Sequence, residues 1–171
     1  PISVPSGHMI VDSGGGATEA AVISLGGVVV HRSARVAGNK IDEAIQAFLR
    51  RRYNLIIGDQ AAEELKISIG YAIAPVKEEK KEISGRDQIL GLPRTIEVSS
   101  NEVSETIRPV LNQIIATVKA VLEEIPPELA SDIIDKGIVM SGGTSLLRNF
   151  DTLISQEVGV PIHVAEDPVL C

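Results

Sequence analysis

The N-terminal part of the chain alternates short apolar runs with glycine turns, a pattern that predicts β-strands. We expect strands at about residues 8–12, 19–25 and 28–36. The pair Gly26 and Gly27 separates the second run from the third, which indicates a tight hairpin turn. The three strands are therefore predicted to form an antiparallel meander.

Beyond the meander, apolar residues recur at helical spacing. Ile41, Ile45 and Leu49 lie on one face of a predicted amphipathic helix over residues 39–52, and three arginines follow in its last turn. A solvated helix end explains those arginines better than a binding patch for an acidic partner. A second helix is expected over residues 60–71.

The longest predicted helix opens at Ser99, and Glu102 three residues later completes a capping-box pattern. Its apolar stripe keeps helical spacing until Pro126 stops it. Such a wide stripe belongs in a core. Pro109 lies inside the run, where we expect it to kink the helix or to end its first turn.

Apolar and charged residues alternate at residues 76–84 and 95–98, before this long helix. These two stretches predict the exposed strands of a small inserted segment, called the excursion below. After the long helix we expect a short helix, a strand, a helix and a strand, at residues 128–135, 138–140, 145–158 and 162–165.

This order of elements predicts an α/β fold of the ribonuclease-H-like type, with a mixed five-stranded sheet and flanking helices. The excursion is a small α+β insertion. We expect residues 1–57 and 101–171 to form the main subdomain and residues 58–100 to form the inserted one.

Composition narrows the class of protein. The 171 residues are 44% hydrophobic, enough to bury a core, and the net charge of -7 argues against a polyanion-binding surface. With two Phe, two Tyr and no Trp, the chain has few side chains to stack on bases, so we expect no nucleic acid partner.

The cysteine content and the length of the apolar runs predict the cellular compartment of the protein. The single cysteine, Cys171, cannot form an intramolecular disulfide, and no apolar run is long enough to cross a bilayer. We therefore expect a cytoplasmic location. Because the sequence begins with Pro1 and stops just after an apparent core strand, it is expected to be a piece of a longer protein.

The turn between the first two strands carries the first candidate site, Asp12-Ser-Gly-Gly-Gly-Ala-Thr-Glu19. Consecutive glycines let several N–H groups face one concavity, which can hold phosphate. A carboxylate beside phosphate calls for a cation, so Asp12 suggests Mg²⁺. The alternative is a purely structural role, because a tight turn also requires glycine.

A second glycine pair, Gly142 and Gly143, follows the strand at 138–140. We expect Thr144 or Ser145 to cap the next helix, whose free N–H groups favour anionic or polar ligand groups. Taken alone, this stretch is explained equally well as an ordinary strand-to-helix turn. Two such loops in one fold, however, favour the interpretation as a ligand-binding loop.

The helix over 60–71 places Glu63 and Lys66 one turn apart. Without further information an i,i+3 ion pair is the better explanation, and a polar clamp for a ribose or adenine is the functional one. A nuclease is disfavoured, because its two metals need several carboxylates and the strand that ends at Ser141 supplies none. Glycine loops on this scaffold favour a phosphate-binding ATPase.

Together these residues resemble the actin-like ATPases and, within them, the MreB family of bacterial actins. The first glycine stretch resembles the family's second phosphate loop, and Gly137-Ile-Val-Met-Ser-Gly-Gly-Thr-Ser-Leu-Leu147 resembles its adenosine loop. The similarity continues in order through further motifs and covers nearly the whole chain: Val36-Ala-Gly-Asn-Lys-Ile-Asp42, Ala62-Glu-Glu-Leu-Lys66, Gly85-Arg86-Asp87, Gly91-Leu-Pro-Arg94, Pro126-Pro-Glu-Leu-Ala-Ser-Asp132 and Ala165-Glu-Asp-Pro168.

The resemblance implies a site for ATP or ADP with Mg²⁺. Asp12 and Thr18 would face the metal and the reacting water as catalytic groups, with Asp12 as metal ligand. The nucleotide contacts implied are Gly14, Gly15 and Gly16 for the phosphates, the helix segment Glu63, Glu64, Leu65 and Lys66 for ribose and base, and the loop Gly142, Gly143, Thr144 and Ser145 around the adenosine. Ala17 and Thr144 are mild departures from the family pattern. Asn39 stands in place of a usual aspartate, which removes one charge.

The resemblance covers only the second half of such a protein. It implies that the intact parent is an ATP-dependent filament protein of the cell-shape cytoskeleton. The parent would self-associate, contact cell-wall elongation and membrane-anchored shape proteins, and lie at the inner face of the membrane, which it would touch through segments absent here. We expect this chain alone not to be a competent ATPase. The alternatives are half of a chaperone-type or sugar-kinase-type ATPase, or a module that mainly binds proteins.

Overall fold

The computed structural model describes residues 6–165, so the motif at 165–168 and Cys171 lie largely outside the described residues. Five strands form the larger of two sheets, in the spatial order β3-β2-β1-β7-β8. They are β1 (Gly7–Ser13), β2 (Thr18–Ser24), β3 (Gly27–Ala34), β7 (Ile138–Ser141) and β8 (Ile162–Val164). This mixed five-stranded sheet confirms the predicted fold class.

Strand β1 lies at the centre of the sheet and alternates buried and exposed residues. Met9 and Val11 face the core, as a period of two requires. β1 pairs with β2 in antiparallel fashion and with β7 in parallel fashion, and its pairing with β7 brings Asp12 opposite Ser141. Since both strands end at this point, the two glycine loops that follow them leave the sheet side by side.

Five α-helices accompany the strands within residues 6–165, and their apolar stripes form one core with the large sheet. In the first of them, Ile41, Ile45 and Leu49 are fully buried, as predicted from their spacing. In this part of the chain, no helix combines the length and the apolarity needed to span a membrane. The helices are α1 (Gly38–Tyr53), α2 (Asp59–Ile69), α3 (Ser100–Glu124), α4 (Pro127–Lys136) and α5 (Phe150–Val158).

The long helix α3 continues through Pro109, so the expectation that this proline could end the first turn was wrong. A proline inside a helix costs about 3 kcal/mol. Burial of a large aliphatic side chain stabilises by about 1.5–3 kcal/mol, and Ile107, Leu111 and Ile114 are all fully buried on the stripe. The stripe therefore outweighs the proline, which lies on the exposed side of the helix.

Helix α3 begins with the predicted capping box. The Ser99 hydroxyl accepts from the Glu102 backbone N–H at 3.1 Å, and the Glu102 carboxylate accepts from the Ser99 backbone N–H at 3.0 Å. Both donors belong to a helix end that would otherwise leave them unpaired.

Replacing Ser99 by alanine should lower the free energy of unfolding by about 1 kcal/mol, because one of these donors loses its acceptor. Urea denaturation followed by circular dichroism measures the change. Ser131→Ala, at an exposed position within α4, is the matched control and should change stability little. Equal losses in both variants would contradict the role of the cap.

The smaller sheet contains β4 (Leu55–Ile56), β5 (Lys80–Asp87) and β6 (Pro93–Ser99) in that order. The prediction of a strand from residue 76 was wrong at its start, since β5 begins at Lys80. β4 was not predicted, because two residues carry no readable periodicity. Its pairing with β5 extends the small sheet to Leu55, three residues before the boundary expected at 58.

The second glycine loop also differs from the prediction. A 3₁₀ helix, Gly143–Leu146, follows the loop, and α5 begins only at Phe150, so the expected helix start at 145 was wrong. The left-handed conformation of Asn149, with φ 65°, separates the two helices. Thr144 and Ser145 do not cap a helix, because their hydroxyls bond to the Gly14 and Gly142 carbonyls instead.

Candidate functional site

The two glycine loops open onto one cleft of about 550 Å³, between the end of the large sheet and helices α1 and α2. Its size is that of a small-molecule site, since such sites measure about 300–1,000 Å³. The lining combines bare backbone, charged groups and a few aliphatic side chains, namely Gly14, Gly15, Gly38, Asn39, Ile41, Asp42, Glu63, Lys66, Ile67, Gly70, Gly143, Thr144, Leu146, Leu147 and Arg148.

The first loop is a tight turn between β1 and β2. The Gly14 N–H donates to the Ala17 carbonyl at 3.1 Å and closes the turn. A Cβ added at Gly14 or Gly16 would meet no protein atom within 4 Å. At these two positions bare backbone therefore faces open space, which is what close approach of an anion to main-chain N–H groups requires.

The N-terminus of α1 lies directly against this loop. Gly38 and Asn39 donate their backbone N–H groups to the carbonyls of Gly14 and Gly15, at 3.0 Å and 2.8 Å. The first turn of α1 contains no acidic residue. The positive end of a 16-residue helix thus supports the glycine loop and favours an anion in the cleft.

The second loop meets the first through Thr144. This residue is almost completely buried, and its hydroxyl donates to the Gly14 carbonyl at 2.7 Å. Gly142 adopts φ 88°, and a Cβ there would lie 2.3 Å from the Ser13 carbonyl oxygen. Glycine is therefore required at 142 for two strand ends to approach this closely. At Gly143 a Cβ would meet nothing within 4 Å, so this residue presents bare backbone to the cleft.

Helix α2 forms the opposite wall with Glu63 and Lys66. Within the described residues, Lys66 pairs with Asp42 of α1 at 2.9 Å and not with Glu63, so the expected ion pair inside α2 is absent. Burial raises the pKa of the Asp42 carboxyl, Lys66 opposes that shift, and the charge of Glu63 adds to it. The pair joins the α2 wall to the base of the first loop.

Six of the residues implied by the resemblance line the cleft: Gly14, Gly15, Glu63, Lys66, Gly143 and Thr144. Others do not. The Thr18 hydroxyl is buried, bonded to the Val36 carbonyl at 2.7 Å and to Ser13 Oγ at 2.8 Å. Leu65 and Ser145 are buried inside the fold, and Glu64 is exposed to solvent outside the lining. Gly16 and Gly142 support the loops without belonging to the lining.

Sequence reasoning assigned no role to several lining residues, among them Gly38, Asp42 and Arg148. A Cβ at Gly38 would lie 3.2 Å from the Thr144 hydroxyl and 3.3 Å from both the Gly14 carbonyl and Lys66 Nζ. Gly38 is therefore the point at which both loops and α2 converge. In the sequence Gly38 stands out only as part of a motif that resembles the family, because this convergence arises from residues far apart in the chain.

Asp12 lies at the exposed end of β1, outside the cleft lining, and its carboxylate accepts from the Ser141 hydroxyl at 3.3 Å. Within residues 6–165, no three His, Cys, Asp or Glu side chains gather into a group that could hold a metal. Mg²⁺ is commonly held by one or two carboxylates together with water and phosphate oxygens. Asp12 fits that kind of donor set, in which the protein supplies one ligand.

The strand order and the paired glycine loops define a domain of the actin-like class. The crystal structure of MreB5 of Spiroplasma citri bound to AMPPNP matches it with a TM-score of 0.93 at 40% identity, over 98% of this chain and 50% of that one. The structure of the same protein bound to ADP matches with a TM-score of 0.94. The fold of the chain is thus the one seen in these solved structures.

The chain belongs to the MreB/Mbl family, since the family model described as MreB/Mbl protein matches residues 1–171. It is 46% identical over 171 residues to the cell shape-determining protein MreB of Escherichia coli (strain K12), covering 100% of this chain and 49% of that protein. It is 46% identical over 167 residues to the cell shape-determining protein Mbl of Bacillus subtilis (strain 168), covering 98% and 50%. The chain spans about half the length of the curated relatives it matches.

Proposed function

We propose that this chain is the nucleotide-binding half of an MreB-type bacterial actin, a cytoskeletal filament protein that helps to determine cell shape. The observation that carries this proposal is the meeting of both glycine loops on one cleft. MreB5, at 40% identity, has been crystallised with AMPPNP and with ADP. We assign ATP and ADP to this chain on that basis.

We assign the first glycine loop, Gly14 to Gly16, to the phosphates. Gly15 in the lining and Gly16 beside it offer their N–H groups, while the Gly14 N–H closes the turn on Ala17. The N-terminus of α1 adds a favourable field. Glu63 and Lys66 face the ribose and base, and Gly143 and Thr144 close the adenosine side. We assign an indirect role in nucleotide binding to Glu64, Leu65 and Ser145, because their side chains lie outside the lining of the cleft. The main subdomain comprises 1–57 and 101–171 and the inserted one 58–100, with β4 as their shared strand.

Asp12 is the proposed protein ligand of Mg²⁺, which would neutralise phosphate charge when bound. Thr18 has a different role from the one implied by the resemblance. Because its buried hydroxyl bonds to Ser13 and Val36, it fixes the distance between β1, β2 and the entry to α1. Thr18 is thus a positioning residue for the first glycine loop.

Hydrolysis of ATP requires preorganised groups on both sides of the phosphoryl group that is transferred. The cleft described here supplies such groups on one side of the phosphoryl group. We therefore propose that the chain by itself binds nucleotide weakly and does not turn it over, and that the parent protein hydrolyses ATP.

We also propose that the parent self-associates into filaments at the cytoplasmic face of the membrane, with cell-wall elongation and membrane-anchored shape proteins as partners. The hairpin tip between β5 and β6 supports self-association. It exposes Ile89, Leu90 and Leu92 by 72%, 72% and 61%. The Asp87 carboxylate, which accepts from the backbone N–H groups of Ile89 and Leu90, braces this turn.

Titration of the purified chain with ATP and MgCl₂, combined with a phosphate-release assay, tests the proposal. We expect saturable, weak binding and phosphate release at the rate of the buffer blank. Absence of binding would overturn the nucleotide site. Turnover as fast as that of a full-length MreB would instead contradict the claim that groups on one side of the phosphoryl group are insufficient for hydrolysis.

A further inference from the structure

A side-chain hydrogen bond links the two glycine loops beyond the end of the sheet. β1 and β7 stop pairing at Asp12 and Ser141, so the register of the sheet fixes only the points at which the loops begin. Beyond that point the Thr144 hydroxyl reaches across and donates to the Gly14 carbonyl at 2.7 Å. The contact joins residues that are 130 positions apart in the chain.

The surroundings of Thr144 favour this contact over other partners. The residue is 7% exposed, so water competes poorly for its hydroxyl. The Gly14 carbonyl also accepts the Gly38 backbone N–H at 3.0 Å, which holds the acceptor in place. The absence of a side chain at Gly38 leaves the space that the hydroxyl occupies, since a Cβ there would lie 3.2 Å from it.

We propose that Thr144 is a positioning residue that sets the distance between the phosphate-holding loop and the nucleoside-holding loop, and so selects ligands in which phosphate and nucleoside are joined. This inference rests on the proposed nucleotide site. The two loops bind the two ends of one molecule. A ligand that joins phosphate to nucleoside binds more tightly than its separate parts only if the two loops are already at the distance that the ligand spans. Thr144 fixes that distance without donating its hydroxyl to the ligand.

The proposal predicts a difference between joined and separated ligands. In Thr144→Val, which keeps the shape and removes the hydroxyl, ATP affinity should fall by up to about tenfold. The loops are then no longer held at the distance that the ligand needs, and the free energy of one hydrogen bond sets the upper limit of this effect. Tripolyphosphate alone should bind as it binds the wild type, because it needs only the first glycine loop, and adenosine alone should lose less affinity than ATP. Thr144→Ser keeps the hydroxyl and should restore ATP binding.

Ligand-observed NMR titrations of the wild-type chain and the variants with ATP, adenosine and tripolyphosphate measure these affinities. Thr117→Val is the matched control, because the Thr117 hydroxyl bonds only within α3, to the Gln113 carbonyl at 3.2 Å. It should leave all three ligands unaffected.

Each outcome decides the matter. A wild-type chain that binds none of the three ligands would remove the nucleotide site itself. Wild-type binding of ATP with an unchanged affinity in Thr144→Val would overturn only the positioning role. Equal losses for ATP, adenosine and tripolyphosphate would also overturn it, because they would indicate general damage to the loops.

Discussion

Gly142→Ala should lower the free energy of unfolding by about 3 kcal/mol or more. The backbone at this residue has φ 88° and ψ 163°, a region that L-residues other than glycine almost never occupy. The new Cβ would also lie 2.3 Å from the Ser13 carbonyl oxygen and 2.6 Å from its carbon, and neither backbone atom can rotate away. The ends of β1 and β7 would have to separate.

Gly143→Ala is a matched control one residue away. Its Cβ would meet no protein atom within 4 Å, so thermal and urea midpoints should stay near those of the wild type. Because that methyl group projects into the cleft, ATP binding should nevertheless weaken. Denaturation curves and ATP titrations on both variants separate the two effects. Equal midpoints for both variants would refute the close approach at Gly142.

Lys66→Met should lower the free energy of unfolding by about 2 kcal/mol at neutral pH. This loss is smaller than that expected from breaking a fully buried pair, because the Lys66 and Asp42 side chains remain 18% and 15% exposed. The methionine keeps the packing of the aliphatic stem and removes the charge that faces Asp42. The carboxylate is then left mostly buried without its cation. Urea denaturation of variant and wild type measures the difference.

The pH dependence of this loss follows from the pKa of Asp42. Burial raises that pKa, and Lys66 opposes the shift, so the variant's carboxyl should have a pKa higher than that of the wild type. A carboxyl with a raised pKa in the folded state favours folding when protonated. The loss should therefore be complete above this pKa and should shrink as the pH falls below it.

Two further variants make the test specific. Lys40→Met removes a lysine from an exposed i,i+3 pair with Glu43 and should change stability little at any pH. Adding Asp42→Asn to Lys66→Met should recover part of the loss, because the buried charge is gone. A loss that does not vary with pH would contradict the assignment to Asp42.

Much of the fold could be predicted because the local pattern and the tertiary structure agree. The stripe on α1 places Ile41, Ile45 and Leu49 in the core, where the structure has them. The capping box at Ser99 and Glu102 depends on residues three positions apart, so it is readable directly. These features are set by neighbours in the chain.

The failures share a physical cause. The delay of α5 to Phe150 follows from a left-handed Asn149, a conformation that the sequence permits and does not require. Spacing alone offers Lys66 a partner within its own helix because spacing shows only local neighbours, while packing of α1 against α2 offers Asp42 at 2.9 Å. A pattern with a period of a few residues cannot rank partners that are far apart in the chain.

The sequence by itself determined most of the elements, the two glycine loops and the buried face of the long helices, because these depend on backbone freedom and on periodic burial along a few residues. Only the tertiary structure decided that Gly38 lies between the loops, that Thr144 bonds to Gly14 and that the Thr18 hydroxyl is buried. Those contacts depend on the register of β1 against β7 and on the docking of α1, and such long-range geometry exists only once the chain has folded.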